Sequence, residues 1–369
     1  MFTDVIYFTR FLPTYDRGGG SRRMLQIWEA LKGLNAECEL VSAPRQDRLS
    51  EEALKRIEEE PVAEFEKEYR FWSEKKRKYA CRLGEISREW SQQIDREISR
   101  ISLAIMDDPI YFVPLFEKPK LFNVPIIAIC HNLESLASEQ VTADSHHRSL
   151  FNKEIDLLAQ CRMVITISRE ETFLLHNLGI PTVFFPYYPV EPILNRLLRV
   201  REKRNATDKK GIFLLGNVLN LQTRQGMEQV IDFWETNRLF QEQGKLVVAG
   251  YGTRQYLKNT GGSAVEFLGD LANDELDSRL TRVKACLCYQ ETGAGALTRI
   301  GEMLIAGVPV LANTHAARSY YNMKGVLEFR ELDELREALK QADQFDGDIS
   351  LPQAPDCAAL SLAIQRILQ

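Results

Sequence analysis

The 369-residue sequence lacks any apolar run near the roughly 20 residues a membrane span requires, which argues against an integral helical membrane protein. Its opening, MFTDVIYFTRFLP, carries Asp4 and Arg10 within the apolar run and has no small-residue cleavage pattern. It reads as a first strand and not as a signal peptide. No excess of basic charge is present: 47 Lys and Arg face 52 Asp and Glu, for a formal net charge of −5. That balance argues against nonspecific nucleic-acid binding. None of the seven cysteines (Cys38, Cys81, Cys130, Cys161, Cys286, Cys288, Cys357) forms a C-x-x-C pair, and the odd number prevents complete internal pairing. They read as buried, reduced thiols of a cytoplasmic protein, with Cys286 and Cys288 on one side of a strand. Repeats, low-complexity tracts and the G-x-G-x-x-G dinucleotide fingerprint are all missing. The sequon Asn205-Ala-Thr207 stands without a secretion signal and reads as chance.

What is present is an ordinary globular composition, 44% hydrophobic and 27% charged, at a length that suits two domains. Short apolar runs alternate with helical patterns, the mark of parallel sheets with crossover helices. The first half offers strands at Val5–Phe8, Glu37–Val41, Leu103–Met106, Ile126–Cys130, Val164–Ile167 and Thr182–Phe185. The second offers Ile212–Leu215, Leu246–Ala249, Val265–Leu268, Ala285–Tyr289 and Val308–Ala312. The expected class is α/β, with two Rossmann-like, doubly wound lobes over residues 1–190 and 205–350. Between Tyr187 and Lys210, Pro189, Pro192 and the charged run Arg199–Arg204 predict a solvated hinge. Leu360, Ile364 and Ile367 predict a terminal amphipathic helix over about 355–369.

One segment, about 50–100, breaks the alternation. Phe65, Tyr69, Trp72, Tyr79, Leu83, Ile86, Trp90, Ile94, Ile98 and Ile101 fall at helical steps, predicting an inserted helical hairpin or a long bent helix. The basic tetrad Lys75–Lys78 interrupts it. Two readings of the tetrad stand: contact with anionic lipid or a phosphorylated acceptor, or a solvated helix face.

In the second half, the apolar run Ala285–Tyr289 leads into Gln290-Glu-Thr-Gly-Ala-Gly295 and then a helix patterned by Leu297, Ile300, Met303 and Leu304. Gly293 and Gly295 let backbone approach a ligand, and the helix start offers N–H groups and a positive dipole end. That order suits a diphosphate. Arg299 and Glu302, three apart, can project from one face, a guanidinium for phosphate oxygens and a carboxylate for ribose hydroxyls. A surface i,i+3 ion pair is the competing reading.

The string GAGALTRIGEMLIAGVPVLAN, Gly293 to Asn313, resembles the motif of glycosyltransferase family 4, the group 1 glycosyltransferases of GT-B fold. Gly293, Gly295, Glu302, Gly307, Pro309 and Val310 match in kind with small shifts of spacing, and Arg299 takes a lysine position. The resemblance implies two lobes facing a cleft, Arg299 on the donor phosphate, Glu302 on the ribose, and a terminal helix returning to the first lobe. Many members carry two glutamates separated by seven residues, the first orienting the donor sugar. Here that first position is Ala294, Glu291 lies three residues earlier, and Leu297 replaces a frequent arginine. Three outcomes stay open: backbone around Thr292–Ala296 holds the sugar, the donor pocket is altered, or the lobe is inactive. Phe213-Leu-Leu-Gly-Asn217, with Gly216, resembles the first donor-lobe strand and loop. Leu246-Val-Val-Ala-Gly-Tyr-Gly252, with Gly250, resembles the family's LxIxGxG, and Val265–Gly269 resembles the strand beside the base. Arg224 lies near where a basic residue contacts the diphosphate, or is a surface arginine.

In the first half, Arg10 to Gly20 follows the first strand and resembles the family's first loop, where Gly18, Gly19 and Gly20 bring backbone to the diphosphate. Cys130-His-Asn-Leu-Glu-Ser135 ends a strand, where ligands of open α/β sheets bind. The resemblance sets His131 toward the transferred sugar or acceptor as a catalytic candidate with Arg299, and Asn132 and Glu134 beside it. Ser168 is a helix cap or a ligand. Asp107-Asp108 can bind metal, but no third ligand is evident, so no metal set is assigned. His146-His147 reads as solvated helix surface.

The function implied is transfer from a UDP- or GDP-sugar to a glycan, lipid-linked or small-molecule acceptor. The family is retaining, so the resemblance implies retention, and Arg299 with backbone N–H groups near Gly19 and Gly295 would stabilise the departing diphosphate without metal. No cofactor beyond the donor substrate is expected. The rivals are an inactive GT-B nucleotide-sugar-binding or scaffold protein and a nucleotide-sugar epimerase. The expected location is cytoplasmic, with the basic tetrad as a basis for peripheral contact with the inner membrane surface.

Overall fold

The computed structural model describes residues 4–15, 18–43, 74–94, 101–116, 123–137, 144–204, 209–237, 244–257, 264–345 and 348–369. Phe65, Tyr69, Trp72, Ile98, most of the expected insertion and the sequon Asn205-Ala-Thr207 lie outside them. By internal contacts the chain divides into two compact units: Met1–Tyr187 with Pro355–Gln369, and Tyr188–Ala354.

The first unit holds a six-stranded parallel sheet of order β2-β1-β3-β4-β5-β6. Its strands are β1 (Val5–Thr9), β2 (Cys38–Ser42), β3 (Leu103–Asp107), β4 (Ile126–Cys130), β5 (Met163–Thr166) and β6 (Thr182–Phe184). Every residue of β1, β3 and β4 is buried, as near-continuous Val/Ile runs demand in a sheet covered on both faces. Alternation of side chains divides the core. Ile6, Phe8, Ala104 and Met106 join Leu83, Ile86 and Trp90 of α2 (Glu74–Ile94). Val5, Tyr7, Leu103 and Ile105 join Met24, Ile27 and Leu31 of α1 (Gly19–Leu31), with Leu360 and Ile364 from the C-terminal helix Cys357–Leu368. The basic tetrad does not interrupt α2 but forms part of its first turns, as Lys and Arg are good helix formers. Helices α3 (Asp144–Leu158) and α4 (Arg169–Asn177) complete the crossovers. Ser168 caps α4, its hydroxyl accepting the Glu171 N–H at 3.2 Å.

The second unit starts with a correction. The proline-rich, charged stretch expected as a solvated hinge is helix α5 (Glu191–Arg204), and Ile193, Leu197 and Val200 enter the core. Arg204 is buried and donates to the carbonyls of Leu280, Val283 and Gly307. Those carbonyls lie at the ends of the helices Asn273–Arg282 and Thr298–Ile305, whose last C=O groups have no partner within the helix. The charge of Arg204 is therefore not a solvating one, whereas Arg199, Glu202 and Lys203 are exposed as expected.

A second parallel sheet follows, of order β12-β11-β10-β7-β8-β9. Its strands are β7 (Ile212–Leu215), β8 (Leu246–Ala249), β9 (Val265–Gly269), β10 (Ala285–Cys288), β11 (Val310–Asn313) and β12 (Val326–Phe329). The edge strand β12 is absent from the sequence reading; three of its four residues are half-buried or exposed, so it has no apolar run. The helices are α6 (Leu221–Thr236), α7 (Thr253–Tyr256), α8 (Asn273–Arg282), α9 (Thr298–Ile305), α10 (Thr314–Ala317) and α11 (Leu335–Gln344). The strand order reverses between β1 and β3 in one sheet, and between β7 and β10 in the other. Such reversals open crevices at the carboxyl ends of the strands.

Candidate functional site

At the β7/β10 reversal, backbones approach closely. Gly250 (φ +122°) leaves no room for a side chain: a Cβ there would stand 2.0 Å from the Gly216 carbonyl oxygen. A Cβ on Gly216 would stand 2.6 Å from the Thr223 methyl and 3.5 Å from Nη1 of Arg299. The Arg299 guanidinium thus lies over the loop that follows β7. Nη1 donates to the Thr223 hydroxyl at 3.4 Å, and Thr223 also receives Nε2 of Gln290 at 3.3 Å. Arg299 and Glu302 form no ion pair, so the surface-pair reading fails. Glu302 is buried on α9, and Arg224 is half-buried in the first turn of α6 beside Thr223.

Behind Arg299, Cys286 and Cys288 share one side of β10, as their spacing predicts, and both are buried. A hydrogen bond from Cys286, with Arg299 nearby, brings the Cys288 thiol down to about 6; the same bond pushes Cys286 up. All seven cysteines are free thiols; Cys38 is half-buried and Cys357 exposed, contrary to uniform burial.

The turn after β10 places Gly293 at φ +110° and Gly295 at φ +73°, left-handed conformations that favour glycine. Ala294 sits between them, half-buried. Glu291 points elsewhere. It accepts the Tyr289 hydroxyl at 3.0 Å and the Gln229 amide at 2.9 Å. The loop's carbonyls meet Arg318 and His315, which the sequence reading did not single out. Both lie just beyond the matched motif.

The β1/β3 reversal is built differently. Arg10, 6% exposed, follows β1 and bonds Asp108; its Nη1 lies 3.4 Å from Glu134 and its Nε 3.6 Å from Asp107. Its guanidinium also stacks 4.3 Å from the Tyr111 ring centre. Burial alone would lower its basicity, but Asp108, Tyr111 and Asp107 hold it well above the usual arginine range. Asp107 is buried, which raises its carboxyl, yet His131 and Arg10 bring it below the ordinary value. Asp108 (φ 42°) is pushed up to about 7 by burial against the opposing pull of Arg10.

His131 sits at the rim of this cluster, with its Nε2 2.8 Å from Asp107 and its backbone N–H donating to Asp108 at 3.1 Å. Phe11 meets its ring edge-on at 5.2 Å, and Phe11 also packs 3.0 Å from where a Cβ on Gly20 would stand. Gly20 and His131 are thereby neighbours through one ring. Gly18 precedes α1, and Gly19 and Gly20 open it; none has a positive φ. Asn132 is half-buried. Glu134, expected near the sugar, faces Arg10, a buried guanidinium that needs carboxylates around it. Its backbone N–H and that of Ser135 donate to Glu154, a buried carboxyl. His147, read as solvated surface, is half-buried with Nδ1 3.3 Å from the Ser135 carbonyl.

The third ligand missing from Asp107 and Asp108 is His131: one atom of each lies within 4.8 Å of the others. Arg10 already supplies the cation both carboxylates face, and the His131 nitrogen nearest them is turned to Asp107.

No family model matches the sequence, and no curated protein matches it either. Solved structures do. A sucrose-phosphate synthase from Thermosynechococcus elongatus is similar at TM-score 0.60 and 17% identity, covering 99% of this chain and 90% of that one. HepE of Anabaena, in complex with UDP and glucose, is similar at TM-score 0.61 and 11% identity, covering 99% of each chain. A UDP-forming α,α-trehalose-phosphate synthase from Burkholderia xenovorans, in complex with glucose-6-phosphate, is similar at TM-score 0.57 and 11% identity, covering 99% of this chain and 96% of that one. The fold is therefore GT-B. Among the described residues no helix is long and apolar enough to cross a membrane.

Proposed function

We propose that this chain is a glycosyltransferase that takes a nucleotide-sugar donor at the β7/β10 reversal and transfers its sugar to an acceptor. One observation carries the reading: Arg299 has no carboxylate partner and lies over Gly216, beside a glycine loop at the carboxyl ends of the strands. A diphosphate leaving group gathers negative charge as the glycosidic bond breaks. A guanidinium, backbone N–H groups and the start of α9 are donors suited to that charge, and removing one such donor typically costs about 2.7–4 kcal/mol in the barrier. Neighbours solved with UDP, or described as UDP-forming, support UDP-sugars ahead of GDP-sugars, and those solved with glucose and glucose-6-phosphate support a sugar acceptor. The resemblance to glycosyltransferase family 4 supports retention at the anomeric carbon. Glu302 is assigned to the ribose hydroxyls on the same ground.

A second reading has its own support. Ala294 stands where the family's first glutamate orients the sugar, and Glu291 is held by Tyr289 and Gln229. A protein that binds the nucleotide sugar without turning it over fits that arrangement. Calorimetry with UDP- and GDP-sugars, followed by turnover assays over sugar and sugar-phosphate acceptors, separates the readings. The expected result is binding of a UDP-sugar with acceptor-dependent UDP release. Binding without release in any acceptor favours the scaffold, and no binding of either nucleotide sinks both.

A further inference from the structure

The Gly293–Gly295 loop is held from behind by side chains of the next crossover. Arg318 donates through Nε to the Gly295 carbonyl at 2.7 Å and through Nη2 to the Ala294 carbonyl at 2.8 Å. Its Nη2 also reaches Oε1 of Gln290 at 3.3 Å, and Nη1 reaches the His315 carbonyl at 2.5 Å. The ring Nε2 of His315 lies 3.0 Å from the Gly293 carbonyl. Three consecutive carbonyls are therefore drawn toward α10 and its C-cap residue, Arg318. The start of the loop is fixed to the same segment. Asn313 accepts the Gln290 N–H at 3.0 Å and donates to the Gln290 carbonyl at 2.7 Å.

In a trans peptide the N–H of the following residue points opposite to the carbonyl. Carbonyls drawn to one side thus turn the N–H groups of Ala294 and Ala296 to the other, and neither has an acceptor among the described residues. N–H groups turned one way along a loop line an anion-binding concavity. Ser319 holds φ +68°, a conformation costly for a residue other than glycine, immediately after Arg318. The side chain of Gln290 continues the network: it accepts from Arg318 and donates to Thr223, the hydroxyl that also receives Arg299. Loop and guanidinium are tied into one unit.

We propose that Arg318 is a positioning residue which, with His315, sets the Gly293–Gly295 loop so that the N–H groups of Ala294 and Ala296 stand ready, beside Arg299, for the phosphates of a nucleoside diphosphate. The inference rests on the nucleotide-sugar reading above and extends it to residues outside the recognised motif. Lysine cannot replace the fork, because one ammonium does not span carbonyls and a side-chain amide at fixed angles.

The test is calorimetry with UDP, GDP and the matching nucleosides on the wild type, R318A and R318K. Expected are losses of about tenfold or more in nucleoside diphosphate affinity for both variants, with nucleoside affinity unchanged. Added guanidinium should recover part of the R318A loss, which a general packing defect would not allow. Affinity within twofold of wild type in R318A overturns the proposal. Hydrogen exchange on the wild type guards against variants that fail to fold: amides of 293–296 should slow on binding UDP. If UDP binds and these amides do not change, the cradle is wrong while the nucleotide reading stands. A wild type that binds no nucleoside diphosphate overturns both.

Discussion

Both sheets reverse their strand order beside their first strand, and an arginine stands at each reversal. Arg10, after β1, is enclosed by Asp107, Asp108 and Glu134. Arg299, on the helix after β10, donates to the Thr223 hydroxyl, neighbours the Cys288 thiol and lies over Gly216, with no carboxylate partner. The same topology thus carries a closed ion cluster in one unit and an open cation in the other. An arginine whose charge is matched by carboxylates holds a fold together, while one that meets no carboxylate is available to an anionic ligand. The first unit should therefore fail in stability when its arginine is removed, and the second should fail in binding.

The largest effect is expected for R10M. Three carboxylates would be left buried around an apolar side chain, and breaking a buried pair from one side typically costs about 3–5 kcal/mol. Thermal unfolding should show a lowered midpoint for R10M. A loss below about 1 kcal/mol would sink the idea that the cluster is structural.

The two reversals also differ in how much of them is legible in the sequence. Gly293 to Glu302 is one continuous string, so glycines, cation and helix start are read together. The Arg10 contacts span 97, 98 and 124 residues, and no local spacing announces them. His131 was visible as the end of β4, but its pairing with Asp107 depends on β3 lying beside β4. Strands buried on both faces were read within a residue or two because their Val/Ile runs are continuous. The edge strand β12 has no such run, and α5 was mistaken for a hinge because Arg204 looks solvated until helix-end carbonyls surround it. Arg318 escaped because its role lies in backbone carbonyls, which leave no trace in residue type.

R299A is the second prediction, and it should invert the first. Its side chain meets only the Thr223 hydroxyl, by one long hydrogen bond, and the Cys288 thiol, so the thermal midpoint should stay within about 2 °C. Nucleotide-sugar affinity should fall by about 10- to 100-fold, the equivalent of one or two charged hydrogen bonds at about 1.5–3 kcal/mol. If stability collapses while affinity holds, the contrast between the arginines is wrong.

A smaller effect follows from acids in the first unit. Burial pushes the Glu154 carboxyl up to about 8, against the hydrogen bonds from Ser135, while the unfolded chain titrates near 4.5. The folded state binds the extra proton between those limits. The stability it brings is full below about 4.5 and lost as pH rises through 8. Asp108, raised to about 7, acts in the same direction. The unfolding midpoint should drop by roughly 5 °C between pH 5 and pH 9, and E154Q should flatten that slope. An unchanged slope in E154Q would show that Glu154 stays ionised.

The smallest expected effect discriminates most about the Gly293–Gly295 loop. If Glu291 took over the task of the family's missing first glutamate, E291Q would abolish turnover. The structure commits both its oxygens elsewhere, one to the Tyr289 hydroxyl and one to the Gln229 amide, on an exposed side chain. A glutamine keeps one oxygen to accept the phenol and loses only a solvent-exposed bond of about 0.5–1.5 kcal/mol. Donor affinity and kcat should therefore stay within about twofold of wild type, while the R299A loss persists in the double variant. A large fall in kcat with unchanged donor affinity would mean that the acid swings to the sugar during the reaction. The open loop of the second unit would then depend on a carboxylate after all, as the first unit does.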